Sequence, residues 1–232
     1  DAIDPSAFDL VALAMQEPQF RAAPVARLLA RIGRAGVPCL SIMNMPPLPY
    51  LARLPGIDLA GPRSAYADAL VWDPLDPAQV TLASPDPQAF RPEGAGPNVL
   101  QVSLPTNFKV ARFASDADTA MLRELADDME RSALETPEGP VALPVKLRVH
   151  DSLFVPLAKW AMLMTGNYRC VTPQGPRAIR EAVHAEPALS REVYDWVCAL
   201  CERLGAAPGD MVPFEKYAAA AEGLAKPSSA AR

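Results

Sequence analysis

Two apolar segments near the start of the chain flank a stretch with helical periodicity. Phe8–Met15 and Val37–Met45 have the length of strands, and continuous apolar runs of this length are typical of strands buried on both faces of a parallel sheet. Gly36 closes the stretch between them and is a typical helix end. The apolar residues of that stretch recur at the spacing of one helix face: Val25, Leu28, Leu29 and Ile32. This order predicts a βαβ unit with a parallel sheet.

Shorter strands are predicted further along, in a part of the chain rich in proline. Gln79–Ser84, Asn98–Leu104 and Phe108–Ala114 have alternating or apolar patterns that favour strands. The proline- and glycine-rich segment 85–97 is predicted to be a loop. Residues 1–114 are therefore predicted to form the later part of an α/β sheet.

From Ser115 onward the pattern changes to helix. Ser115 is a predicted N-cap, because acidic residues follow it in the first turn. The predicted fold is α/β plus all-α, with a helical domain over residues 115–232. Its later helices are expected at Leu153–Gly166, Pro176–Ala185, Ser190–Leu204 and Pro213–Ala225.

Composition narrows the function classes. The chain has 232 residues and a formal net charge of −5, with no run of basic residues, so a nucleic-acid interface is not expected. No apolar run approaches the roughly 18–20 residues that span a bilayer, and no secretory segment opens the chain. Cys198 and Cys201 match C-x-x-C, but no second cysteine pair and no histidine at zinc-ligand spacing accompanies them. These two cysteines, with Cys39 and Cys170, are expected to be buried or partly buried small hydrophobes in a cytoplasmic protein, with no metal. The alternative is a redox or metal role.

A single lysine interrupts the most apolar of the predicted helices. Lys159 is the only charged residue of Leu153–Gly166, and a buried ammonium group needs a partner or a lowered pKa. One interpretation is that its head reaches water past the core. The other is an ammonium facing a cleft between the domains, where it could act as an acid near neutral pH. Asn167 would share a broad helix face with Lys159, about 12 Å further along the axis.

Four motifs, taken together, resemble the ketopantoate reductase family. FDLVALAMQEPQ is similar to a family strand that ends on a lysine, which is Gln16 here, and LSIMNM is similar to the strand end that carries the family asparagine, here Asn44. LAKWAMLMTGN is similar to the helix that carries the catalytic lysine and two asparagines. Lys159 and Asn167 match that helix, whereas Leu163 replaces the first asparagine and Met45 replaces a glycine. The final AKPSSAAR resembles a serine-containing substrate segment.

The resemblance implies a Rossmann-like domain over residues 1–114, a helical domain after it and NADPH-dependent reduction of a 2-keto acid to a 2-hydroxy acid. Lys159 would be the general acid. The substrate-binding residues implied are Asn167, Ser228 and Ser229, and the residues implied on the cofactor side are Asn44 and Gln16. The partners implied are NADP, a small 2-keto acid and a second copy of the chain in a homodimer.

The glycine-rich turn that holds the pyrophosphate in Rossmann domains does not occur in this sequence. The chain starts at Asp1 and its last residues match only the start of the serine segment, so we expect a fragment of a longer protein. Two other functions are compatible with Gln16, Met45 and Leu163. One is a non-catalytic sensor of a nucleotide or an acid, and the other is a related opine or 3-hydroxy-acid dehydrogenase.

Overall fold

The chain divides into two compact units, Asp1–Pro156 and Leu157–Arg232. The computed structural model describes residues 3–84, 89–99, 101–102 and 106–231. Each unit is described here by itself.

The first unit opens with the predicted βαβ arrangement. Strand β1 (Val11–Leu13) pairs in parallel with β2 (Cys39–Ile42), and helix α1 (Ala23–Ala35) connects them. Both strands are shorter than the apolar runs that contain them. Gly36 ends the helix in the left-handed conformation at φ +67°, which glycine adopts without steric cost. Leu29 of α1 is among the most buried residues of the unit.

A five-stranded sheet forms the centre of this unit, in the order β1, β2, β3 (Val80–Ser84), β6 (Thr106–Ala111) and β9 (Val145–His150). Strand β3 (Val80–Ser84) lies parallel to β2, and β6 (Thr106–Ala111) lies antiparallel to β3. Between β2 and β3 the chain forms two short helices, α2 (Leu48–Leu51) and α3 (Ala60–Arg63). The sheet is thus mainly parallel, as predicted, with one antiparallel step in its middle.

A separate two-stranded ribbon joins β4 (Ala89–Phe90) to β5 (Gln101–Val102). Strand β4 lies in the segment that the sequence predicted to be a loop. Strand β5 lies within the predicted strand Asn98–Leu104. Residues 98 and 99 are not part of a strand, and residues 100, 103 and 104 lie outside the described part of the chain.

The residues after Ser115 return to this same sheet. Ser115 caps α4 (Asp116–Arg131) by accepting the Asp118 N–H at 3.3 Å, as predicted. A hairpin of β7 (Ala133–Thr136) and β8 (Gly139–Ala142) follows, and β9 (Val145–His150) then pairs in parallel with β6.

Helix α4 packs against β9, and Leu122 of α4 shares a buried cluster with Val110 of β6 and Leu147 of β9. Residues 115–156 therefore belong to the first unit. The structure divides the chain at residue 156, later than the boundary near residue 114 that the sequence indicated, because β9 needs β6 as its pairing partner.

In the second unit, helices and the turns between them make up the residues described from 157 to 231, and no strand occurs among these residues. A helical stretch at 156–170 contains α5 (Lys159–Met162) and a π-helical turn, Leu163–Asn167. Helices α6 (Ile179–His184), α7 (Pro187–Arg203) and α8 (Phe214–Ala221) follow. Their shared core consists of Ala161, Val183, Tyr194, Val197, Phe214, Tyr217 and Ala221. None of the helices in the described parts of the chain is long and apolar enough to cross a membrane.

Candidate functional site

Gln16 and Asn44 follow the carboxyl ends of two adjacent parallel strands. Strands β1 and β2 pair from Val11 with Cys39 to Leu13 with Ser41, so the residues just beyond them leave the sheet at the same edge. In open α/β sheets, ligands bind at this edge. The structure thus brings the two residues predicted on the cofactor side to one edge of the first unit.

The side-chain amide of Asn44 has hydrogen-bonding capacity that the fold does not use. Its Oδ1 is buried and has no hydrogen-bond partner among the described residues. A buried acceptor left unsatisfied costs about 1–3 kcal/mol, and such groups are uncommon unless a ligand or water completes them. The Asn44 Oδ1 is therefore an acceptor that the described residues leave unsatisfied.

Gln16 is exposed and begins a short 3₁₀ helix, Glu17–Arg21. Its backbone N–H donates to Gln19 Oε1 at 2.8 Å, which fixes the turn that leaves β1. The side chain of Gln16 carries no charge, so this position can orient a polar group but cannot neutralise a phosphate.

A carboxylate that the sequence analysis missed lies next to Gln16. Glu17 is only 4% exposed, and its Oε1 accepts the Ala67 N–H at 3.1 Å. This contact ties the loop after β1 to a segment fifty residues further along. The sequence offered one signal for this residue, which is an acidic side chain directly after a predicted buried strand. A carboxylate that is buried at such a position must be hydrogen-bonded or paired with a charge.

In the second unit, the helical stretch that carries Lys159 departs from a regular α-helix. Lys159 begins α5 and is half-buried, and Asn167 ends the π turn and is also half-buried. The wide turn is closed by the Tyr168 N–H, which donates to the Leu163 carbonyl five residues earlier. Met164 in this turn is 45% exposed, so the stretch is not buried on all sides as its composition predicted.

The π turn changes the direction in which Asn167 projects. In a regular α-helix the eight steps from Lys159 to Asn167 turn through about 800°, which leaves the two side chains roughly 80° apart. A π turn contains one more residue than an α turn. The eight residue steps from Lys159 to Asn167 therefore rotate about as far as seven steps of an α-helix, and the angle between the two side-chain directions falls to roughly 20°. The separation along the axis falls from about 12 Å to about 10 Å. With these ideal values, the π turn brings the directions of Lys159 and Asn167 closer together than a regular α-helix would.

The end of the chain meets the same turn. Ser228 is buried, and its hydroxyl donates to the Asn167 carbonyl at 2.5 Å. Two of the residues predicted to bind substrate are therefore in contact. The lone pairs of the Ser228 oxygen can still accept a hydrogen bond. The side chain of Ser229 lies outside what the structure describes.

Backbone hydrogen bonds hold the segment that leads to Ser228. The Ile179 N–H donates to the Lys226 carbonyl at 3.2 Å, and the Arg180 N–H donates to the Leu224 carbonyl at 3.0 Å. These N–H groups belong to the first turn of α6, where no carbonyl of the helix itself can reach them. The tail thus completes α6 and is fixed in place beside the π turn.

The cysteines have the character of buried small hydrophobes, as the sequence predicts. All four are free thiols, and Cys39, Cys170 and Cys201 are buried. Burial raises the pKa of Cys39 to about 12 and that of Cys201 to about 11. These thiols stay protonated at neutral pH and are poor nucleophiles.

Comparisons with known proteins identify structural neighbours only. No protein-family profile matches the chain, and no curated protein matches it by sequence. A ternary structure of D-mandelate dehydrogenase with NADH and anilino(oxo)acetate aligns at a TM-score of 0.54 with 13% identity, over 97% of this chain and 60% of that one. A probable 2-dehydropantoate 2-reductase from Bacillus subtilis aligns at 0.53 with 12% identity, over 96% of this chain and 62% of that one.

These similarities are similarities of fold. The chain has a ketopantoate reductase-like fold, as the resemblance implied, with a Rossmann-like sheet and a helical part. It spans 60–62% of the length of these neighbours.

Proposed function

We propose that the protein containing this chain is an NADPH-dependent reductase that converts a 2-keto acid into a 2-hydroxy acid. Lys159 is the general acid, Asn167, Ser228 and Ser229 bind the substrate, and Asn44 and Gln16 lie on the cofactor side. The arrangement in the second unit carries the proposal, because Lys159 and Asn167 lie on one helical stretch that contains a π turn, and the Ser228 hydroxyl donates to the Asn167 carbonyl. The fold is shared with a dehydrogenase solved with NADH and an oxoacetate.

The residues at the edge of the first sheet fit the nicotinamide end of the cofactor. The unsatisfied Asn44 Oδ1 can accept the N–H of a carboxamide, and the exposed Gln16 can hydrogen-bond the same end. When bound, the nicotinamide supplies the hydride that reduces the ketone.

Lys159 has the chemistry that the second half of the reaction needs. As the carbonyl carbon is reduced, negative charge develops on the oxygen. An ammonium group in hydrogen-bond reach offsets this charge and then donates its proton, which leaves a neutral amine and the product hydroxyl. The proton is regained from solvent.

Asn167 and Ser228 have the chemistry to orient the acid. The Asn167 amide can donate to the substrate carboxylate. The Ser228 hydroxyl donates its own hydrogen to the Asn167 carbonyl, so its oxygen can accept only from a hydroxyl group elsewhere on the substrate. Holding the substrate in this way places the ketone oxygen against Lys159, and such positioning is a large part of catalysis.

The test is oxidation of NADPH by the full-length protein with a panel of 2-keto acids, with NADH measured in parallel. We expect turnover with at least one 2-keto acid, and a fall in kcat of about 10²–10⁴-fold in Lys159→Ala. Lys216→Ala is the matched control, because Lys216 is an exposed lysine on α8 of the same unit.

Two results contradict the proposal. The first is a Lys159→Ala variant that keeps most of kcat. The second is binding of nucleotide or acid without turnover, which would indicate the sensor function instead. Turnover with a 3-hydroxy acid or an opine, but with no 2-keto acid, would retain Lys159 and replace the substrate class.

A further inference from the structure

The π turn between Lys159 and Asn167 has a side-chain partner from a distant helix. Tyr217 of α8 donates its hydroxyl hydrogen to the Met162 carbonyl at 3.1 Å. Met162 lies at the junction of α5 and the π turn. Widening a turn displaces its carbonyls from their usual donors, so a hydroxyl at this junction supplies a donor where the helix is irregular.

Gly166 makes room for this hydroxyl. A Cβ atom at position 166 would lie 2.1 Å from Tyr217 Oη, well inside van der Waals contact. It would also lie 3.2 Å from methyl groups of Ile179 and Val183. A glycine in a helix interior costs about 1 kcal/mol relative to alanine unless packing requires it, and here the approach of Tyr217 is that requirement.

The ring of Tyr217 is held so that its hydroxyl cannot move aside. The residue is 6% exposed, and its ring stacks on Tyr194 with centroids 5.5 Å apart and planes 20° apart. Burial raises the pKa of Tyr217, so the phenol stays protonated and remains a donor across the physiological range.

We infer that Tyr217 is a positioning residue: its hydroxyl, admitted by Gly166, holds the π turn that sets Lys159 and Asn167 on one face. The claim that Tyr217 holds the π turn is argued from the contacts alone. The claim that this turn matters for catalysis rests on the proposed function. Tyr217 touches no reacting atom. It acts through the rotation of the helix, which in a regular α-helix would separate the two side chains by roughly 80° instead of roughly 20°.

Tyr217→Phe tests the inference, because it removes the hydroxyl and keeps the ring in its stack. Tyr194→Phe is the matched control. It removes a hydroxyl from the same cluster, where Tyr194 donates to the Val212 carbonyl at 2.7 Å, but it leaves the π turn untouched. Amide hydrogen exchange of residues 163–168 is measured in both variants, together with kcat and the KM values for the keto acid and for NADPH in the full-length protein.

We expect exchange at 163–168 to accelerate about fivefold in Tyr217→Phe, which is the loss of one hydrogen bond, and to stay unchanged in Tyr194→Phe. We expect kcat to fall by up to about 10²-fold in Tyr217→Phe, the effect of a reacting group misplaced by about an ångström, with KM for NADPH unchanged. Adding Tyr217→Phe to Lys159→Ala should cause no further loss, because both changes act on one proton transfer.

Three outcomes overturn the inference: unchanged exchange at 163–168 in Tyr217→Phe, equal loss of kcat in the two phenylalanine variants, or losses from Tyr217→Phe and Lys159→Ala that multiply. If the unsubstituted protein turns over no 2-keto acid, the proposed function fails. The exchange experiment on the same variants then decides whether Tyr217 holds the turn.

Discussion

Gly166→Ala is the substitution whose effect the geometry specifies most closely. Taken as helix propensity alone, it should stabilise the chain by about 1 kcal/mol. The added methyl, however, would lie 2.1 Å from Tyr217 Oη and 3.2 Å from two more side chains. Overpacking of a core typically costs about 1–3 kcal/mol, and the stacked ring of Tyr217 leaves little room to relax. We expect a net loss of about 2 kcal/mol.

The cost should depend on the hydroxyl of Tyr217. In a Tyr217→Phe background the closest atom is removed, so Gly166→Ala should cost only about 0–1 kcal/mol, with Ile179 and Val183 still crowding the methyl. The two changes should therefore be non-additive by about 1–2 kcal/mol. Gly209→Ala is the matched control, since no atom lies within 4 Å of a Cβ built there.

The effect is measured by urea unfolding of four proteins: the unsubstituted chain, Gly166→Ala, Tyr217→Phe and the double variant. Unfolding is monitored by near-ultraviolet circular dichroism, to which the stacked tyrosines contribute. The midpoints can be compared as free energies only if the dependence of the unfolding free energy on urea concentration has a comparable slope in all four proteins. Equal costs of Gly166→Ala in both backgrounds, or a cost no larger than that of Gly209→Ala, would refute the argument that Tyr217 requires a glycine at position 166.

Three further predictions address other parts of the molecule. Ser115→Ala removes the cap of α4 and should lower the free energy of unfolding by about 1 kcal/mol, measured by urea unfolding against Ser132→Ala, whose hydroxyl also contacts this helix but at its other end. Ser228→Ala should accelerate amide exchange of the 224–228 segment, because it loses the bond to the Asn167 carbonyl; unchanged exchange would contradict the docking. Cys39 has a pKa raised from 9.0 to about 12, so its contribution to stability is complete below pH 9.0 and is lost as pH rises toward 12. Cys39→Ala should make the alkaline loss of stability less steep, and an unchanged pH profile would exclude this thiol as a cause.

Local signals were sufficient for several elements of the fold. Helix α1 was predictable from its apolar spacing and from Gly36, and α4 from Ser115 and the acidic first turn. Each of these signals acts within a few residues of the element it specifies. The two strands around α1 were predicted as longer than they are, because an apolar run continues beyond the residues that pair.

Features that depend on distant residues were not predictable in the same way. Strand β9 joins β6 across α4 and the β7-β8 hairpin, and that pairing carries residues 115–156 into the first unit. Likewise, the junction of α5 and the π turn contacts Tyr217, which lies fifty-five residues beyond Met162. The hydrophobic periodicity correctly predicted a helix around Lys159. That prediction took the rotation per residue as constant, and a π turn departs from this constant value.

The irregular turn bears on the two interpretations of Lys159 in the apolar helix. A lysine that only has to bring its ammonium to water needs no particular rotation relative to Asn167, because its flexible stem reaches solvent from many directions. A lysine that works together with Asn167 needs both side chains on one face. Single π turns inside helices are frequent at functional sites. Here Gly166 leaves room for the hydroxyl of a buried tyrosine, which donates to the Met162 carbonyl at the start of the turn. The proposed catalytic role of Lys159 uses the rotation of the helix, whereas a lysine that merely reaches solvent does not. The Tyr217→Phe and Lys159→Ala variants therefore separate the two interpretations.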